Sequence, residues 1–265
     1  MQIAVVQFQI AHLQREINSA RIESFIQKAK SHQSDVVIFP EDCITGSIFG
    51  DRTKLDHQKL NRDAWVSLAK KYRIDLVTGS VMEACADGNF NTSYYIDASG
   101  AVLGMYRKNH LYPSEQRFLN SGTDVPVFDT SFGKAGIVIC WDMLCSEIFE
   151  RMRSQGVQIV YCPSYWYQEI ASPLGDLNQN SEGLLLDALC LTRAVETNCA
   201  IVYCNAAGVM NYSDGSTDTL IGHSQVVLPV LGAIDRCLDN LEQIRFVSLS
   251  LESLDASAKI YSHGS

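Results

Sequence analysis

Nine cysteines are present, but no two stand in a C-x-x-C pair, the spacing on which zinc ribbons and fingers depend. There is no H-E-x-x-H and no G-x-S-x-G, so neither a zincin nor an elbow-type serine hydrolase is expected. Basic clusters interleaved with aromatics are also missing. With 21 Lys and Arg against 30 Asp and Glu the net charge is −9, which makes nucleic acid a poor partner. No apolar run reaches about 18 residues, so no membrane-spanning helix is expected. No Pro/Gly/Ser-rich linker, biased tail or repeat of roughly 20–50 residues divides the chain, and one domain over 1–265 is expected. Met1 leads straight into the strand-like Gln2–Phe8 with no charged and apolar leader. Together with cysteines set mostly in apolar runs, this predicts a cytoplasmic protein with reduced thiols.

What is present is a chain rich enough in apolar residues, at 46%, to bury a large core. Short β-branched runs at 3–8, 35–39 and 74–81 read as strands. Apolar residues at helical spacing over 15–32 and 59–72 read as helices between them. Further on, 91–96 and 102–106 form a candidate hairpin, and 136–140, 158–162, 200–204 and 243–250 are candidate strands. Helices are expected over 147–153 and 182–197, and strands at 225–228 and 232–235 flank a turn containing Pro229. The alternation predicts an α/β class with mixed sheets.

Three positions share one local setting. Glu41 follows Val36-Val37-Ile38-Phe39-Pro40, Lys108 follows the strand ending at Tyr106, and Cys140 closes Gly136-Ile137-Val138-Ile139. Strand ends in α/β folds converge on one crevice. A thiol, a carboxylate and an ammonium gathered there are a coherent set. The carboxylate takes the thiol proton as attack begins, and the ammonium favours the thiolate and stabilises an oxyanion. The backbone N–H of Trp141 is a candidate second oxyanion donor, and a helix starting near Glu147 is expected to point toward the sulfur. Taken singly, each residue has a plainer reading: a turn carboxylate, a solvated basic turn, one more buried thiol. His110 and His223 read as hydrogen-bonded structural histidines.

The combination resembles the nitrilase superfamily of carbon–nitrogen hydrolases. Phe39-Pro40-Glu41, Tyr106-Arg107-Lys108-Asn109-His110-Leu111 and Gly136-Ile137-Val138-Ile139-Cys140-Trp141-Asp142 occur in that family's order. Lys108 lies 67 residues after Glu41 and Cys140 lies 32 after Lys108. Ile3–Gln7, Glu147 with Arg151, Arg193–Asn198 and Gly222–Gln225 extend the similarity almost end to end. The resemblance implies a four-layer α-β-β-α sandwich with two mixed sheets, paired as a homodimer or higher homo-oligomer. It implies a Glu41-Lys108-Cys140 triad, with Glu115 as a further active-site glutamate for positioning or proton handling. It implies no metal and no organic cofactor. The expected reaction cleaves a small amide through a thioester on Cys140 and releases ammonia or an amine. The alternatives are an N-carbamoyl amine hydrolase, then a nitrilase or a non-catalytic scaffold of the same fold.

Two departures stand out. Ser146 occupies a position where the family commonly has proline. Trp141-Asp142 resembles the amidase and carbamoylase branches, whereas nitrilases more often carry Trp-Glu there. Trp141, Tyr165 and Trp166 are the candidate substrate-binding residues. Residues 165–180 and 208–218 follow no subfamily pattern and are expected at the pocket mouth or a subunit contact.

Overall fold

The first strand shows how the layers arise in the computed structural model, which describes residues 1–171, 174 and 177–261. In β1 (Gln2–Gln7), Ile3 and Val5 face one core while Ala4 and Val6 face another, the two-residue period of a strand covered on both sides. The first half of the chain continues with α1 (Arg15–Ser31), β2 (Val36–Ile38), α2 (Leu60–Tyr72), β3 (Asp75–Val77), β4 (Val81–Cys85), β5 (Gly88–Ile96) and β6 (Val102–Arg107). The second half holds β7 (Val127–Thr130), β8 (Gly133–Ile137), α3 (Ser146–Ser154), β9 (Ile159–Ser164), α4 (Ser181–Thr197) and β10 (Ala200–Asn205). A small hairpin of β11 (Val209–Asn211) and β12 (Thr217–Thr219) precedes β13 (Gln225–Leu228), β14 (Gly232–Arg236), β15 (Gln243–Ser248) and α5 (Glu252–Tyr261).

One sheet runs β15-β1-β2-β3-β5-β4, with β6 also paired to β5, and the other runs β14-β13-β10-β9-β8-β7. Each has a parallel centre, β1-β2-β3 and β8-β9-β10, and antiparallel flanks. Ile22, Ile26 and Ala29 of α1 and Trp65 and Ala69 of α2 pack on Val37, Phe39 and Leu76, outside the first sheet. Ile148, Phe149 and Met152 of α3 and Leu186, Cys190 and Ala194 of α4 join the second sheet's core. Each fully buried Val, Leu, Ile, Phe or Met among them contributes about 1.5–3 kcal/mol. The result is the expected α-β-β-α sandwich with two mixed sheets. No helix among the described residues is long and apolar enough to cross a membrane.

The segment 74–81, expected as one strand, is two. Gly79 breaks it at φ +71, and a Cβ there would lie 2.2 Å from the Pro40 carbonyl oxygen. That contact presses the turn between β3 and β4 against the residue preceding Glu41. The strand expected to end at Cys140 ends at Ile137. Cys140 instead opens a 3₁₀ helix, Cys140–Leu144, which separates the sulfur from the start of α3 at Ser146. β7, the β11–β12 hairpin and α5 were not foreseen. The hairpin's Val-Met-Asn and Thr-Asp-Thr strands lack a clear apolar alternation.

Candidate active site

Three elements deliver the charged groups. β2 ends at Ile38, and the chain turns through Pro40 to Glu41, whose N–H donates to the Ser164 carbonyl at 3.2 Å and so joins the ends of β2 and β9. β6 runs directly into Lys108, held by its N–H to the Asn91 carbonyl of β5 at 2.8 Å. Glu115 opens a 3₁₀ turn, and its Oε2 accepts the Tyr112 N–H at 2.8 Å.

The Lys108 Nζ lies 2.8 Å from Glu41 Oε1 and 2.7 Å from Glu115 Oε2, and all three side chains are buried. Asn91 braces the same pair, its Nδ2 donating to Glu41 Oε1 and to Glu115 Oε1, each at 2.9 Å. The other Glu41 oxygen accepts the Tyr165 N–H at 3.0 Å. Burial works against the Lys108 charge, but Glu115, then Glu41, more than offset it, and the ammonium is held well above the ordinary lysine range. Burial raises Glu41 above the ordinary carboxylate value, and Lys108 pulls it back. Buried charges of this kind persist only when paired and hydrogen-bonded, and here the two glutamates and the Asn91 amide supply the partners.

Cys140 lines the same cleft. Its backbone is left-handed at φ +47, a state costing a non-glycine residue about 1–3 kcal/mol. Asp142 holds that turn. Fully buried, its Oδ2 accepts the Ile139 N–H and the Tyr106 hydroxyl, each at 2.9 Å, while Oδ1 accepts the His110 N–H at 2.8 Å. The first turn of the 3₁₀ helix leaves the Trp141 N–H without a partner among the described residues. Burial, then Glu41, pushes the Cys140 thiol well above the ordinary range, and Lys108 opposes both. The resting sulfur is therefore held as the thiol. Cys145 does not line the cleft, and burial, then Asp142 and Glu147, pushes its thiol up to about 11.

The cleft encloses about 610 Å³ including its mouth. Trp141 and Tyr165 line it as expected, and Tyr167 and Ile170 of the 165–180 stretch join them. Residues 172–173 and 175–176 of that stretch lie outside the described residues. Trp166 is a correction. It is fully buried behind Trp141, with ring centroids 5.2 Å apart, and its Nε1 donates to Glu182 at 2.6 Å, so it supports the wall without forming it. From the 208–218 stretch Asp218 reaches the cleft, and Tyr212 ties it back by donating to Asp218 and meeting the Tyr165 hydroxyl at 2.9 Å. Of the two histidines, His110 sits between Asp142 and Glu147, with Nε2 3.1 Å from Glu147 Oε1. His223 sits with Nδ1 3.6 Å from Asp187.

A family model described as carbon-nitrogen hydrolase matches residues 2–259. The chain belongs to the carbon–nitrogen hydrolase family. Its relatives include a hydrolase in the agr operon of Staphylococcus lugdunensis, 31% identical over 85% of this chain and 92% of that protein. They also include a 2-oxoglutaramate amidase of Bacillus subtilis (strain 168), 27% identical over 86% and 82% of the two chains. The crystal structure of Saccharomyces cerevisiae Nit3, of branch 10 of the nitrilase superfamily, superposes with a TM-score of 0.83 at 24% identity, covering 100% of this chain and 95% of that one. Sequence reasoning within this hydrolase family missed Asn91 and Asp218, and it read Asp142 only as a branch marker beside Trp141, not as the residue that holds the turn. Asn91 and Asp142 are buried polar residues inside or just after strands, and only the accounting of their hydrogen bonds reveals them.

Proposed function

We propose that this carbon–nitrogen hydrolase is a thiol amidase in which Cys140 is the nucleophile, Glu41 the general base and Lys108 the oxyanion stabiliser. The observation that carries the reading is the Lys108 ammonium bridging Glu41 and Glu115 in the cleft that Cys140 lines. The Cys140 sulfur attacks the carbon of a small amide while Glu41 takes the thiol proton. Lys108 and the Trp141 N–H receive the negative oxygen. The intermediate collapses, the proton passes from Glu41 to the departing nitrogen, and ammonia leaves a thioester on Cys140. Water then gives a proton to Glu41 and attacks the thioester, and as the acid leaves, the Cys140 sulfur takes that proton back from Glu41. Glu115 and Asn91 act as positioning residues that fix Glu41 and Lys108. The amidase naming of the Bacillus subtilis relative and the Trp141-Asp142 pair support an amide over a nitrile.

An ammonia-release screen over amides, N-carbamoyl amines and nitriles, with Cys140→Ala as control, tests this. Release from amides that Cys140→Ala abolishes is expected. Equal release by both proteins, or a covalent adduct on Cys145 in place of Cys140, would overturn it. Release of carbon dioxide with ammonia from carbamoyl amines alone would favour the N-carbamoyl reading. The chain is further read as one domain over residues 1–265, active as a homodimer in the cytoplasm, and sedimentation at working concentration tests the dimer.

A further inference from the structure

The cleft's charge is one-sided. Asp42 and Asp218 line it in addition to Glu41 and Glu115, and Lys108 is its single cation among the described residues. That ammonium is already held by both glutamates. The sequence extends the point to the segments that carry Tyr165, Tyr167, Ile170 and Asp218, because between Arg153 and Arg236 the chain carries one Lys or Arg, Arg193. Its guanidinium is bound to the Met143 carbonyl and Glu196, under α3 and α4, away from the cleft. The 165–180 and 208–218 stretches therefore have no base to offer a substrate carboxylate.

They and the Glu41 turn offer the opposite. Asp42 is only 7% exposed, and its Oδ1 receives the Ser80 hydroxyl at 3.4 Å. Its Oδ2 has no partner among the described residues, although the residue faces the cleft. Asp218 receives the Tyr212 hydroxyl and forms no ion pair among the described residues. A carboxylate taken from water without a cation is costly, and a ligand cation removes that cost. The rings of Tyr165 and Tyr167 stand in the same lining, the surface that an ammonium also favours.

We propose that the non-reacting end of the substrate carries a protonated amine, received by Asp42 and Asp218 against the faces of Tyr165 and Tyr167. This rests on the amidase reading above and adds the charge that the cleft selects. The reacting carbon meets Cys140 while the ammonium occupies the acidic wall. An amide ending in a carboxylate meets repulsion there.

The test uses three ligands of matched length, δ-aminovaleramide, hexanamide and adipamate, titrated into the Cys140→Ala protein, which binds without turnover. The cationic amide is expected to bind about tenfold or more tighter than hexanamide, with adipamate weakest. The gap is expected to shrink as salt rises, and to shrink in an Asp218→Asn, Cys140→Ala double variant. Equal binding of the three, tighter binding of hexanamide or adipamate, or binding of none overturns the proposal. Ammonia release by the wild-type enzyme from the same three separates this failure from that of the amidase reading. Turnover that favours hexanamide or adipamate removes the charge selection and leaves the amidase. Preferential binding of δ-aminovaleramide with no turnover of any amide does the reverse.

Discussion

Asp142 accepts the backbone N–H of His110 at 2.8 Å, and this one bond ties the segment that delivers Lys108 to the turn that delivers Cys140. Because the same carboxylate also takes the Ile139 N–H and the Tyr106 hydroxyl, it fixes the sulfur and the ammonium relative to each other. Asp142→Ala leaves the buried Ile139 N–H and Tyr106 hydroxyl without an acceptor, at about 1–3 kcal/mol each, and frees the half-buried His110 N–H. A drop of several kcal/mol in urea unfolding is expected. Asp142→Asn keeps the volume but turns one acceptor into a donor. It is expected to retain most of the stability lost in the alanine variant while lowering kcat more than it raises KM.

The thiol's state gives a second prediction. Burial and Glu41 hold Cys140 protonated, so alkylation by iodoacetamide should be slow near neutrality and still rising above about pH 8.5, the ordinary thiol value. Glu41→Gln removes a negative neighbour and so lowers the thiol pKa. Alkylation at a given pH should then quicken while amide turnover falls by about 10²–10⁴. Slower alkylation in Glu41→Gln would show that Lys108 relaxes away when its partner loses charge.

Asp42 makes stability depend on pH. Burial, then Glu41 and Glu115, raises its carboxyl well above the ordinary value. A raised carboxyl leaves stability untouched below the unfolded value near 4. As pH climbs from there through the folded value it subtracts stability, and the full penalty remains above that. Asp42→Asn removes the penalty and suits the left-handed backbone at φ +54. It is expected to match wild type in urea unfolding at about pH 4 and to exceed it at about pH 8. A constant difference at both pH values would place the effect in packing.

Gly79→Ala tests the turn beneath Glu41. The added Cβ would lie 2.2 Å from the Pro40 carbonyl oxygen and 2.9 Å from the Cys43 sulfur, at φ +71. Backbone must shift, at a cost of at least about 1 kcal/mol, and the shift passes through Pro40 to Glu41. Lower stability with a depressed kcat is expected, whereas lower stability with unchanged kcat would mean that the turn gives way outward.

Much of this molecule was legible in one dimension. Strand and helix periods gave the α/β class, because apolar side chains must share a face to be buried. Glu41, Lys108 and Cys140 could be singled out because each follows a short, strongly patterned segment, whereas Glu115 came only from the family resemblance. Tertiary structure alone decided the rest. Asn91 is one polar residue within β5, and only the pairing of β5 with β6 sets its amide between two glutamates. Trp166 and Trp141 look alike as sequence, yet the left-handed turn at Cys140 leaves Trp141 in the cleft, and Glu182 of α4 draws the Trp166 indole N–H into the core. Asp42 and Asp218 lie far apart along the chain and line one cleft only after folding. Local pattern reports which face of an element is buried, while the meeting of distant polar groups depends on how the layers pack, and no local pattern carries that.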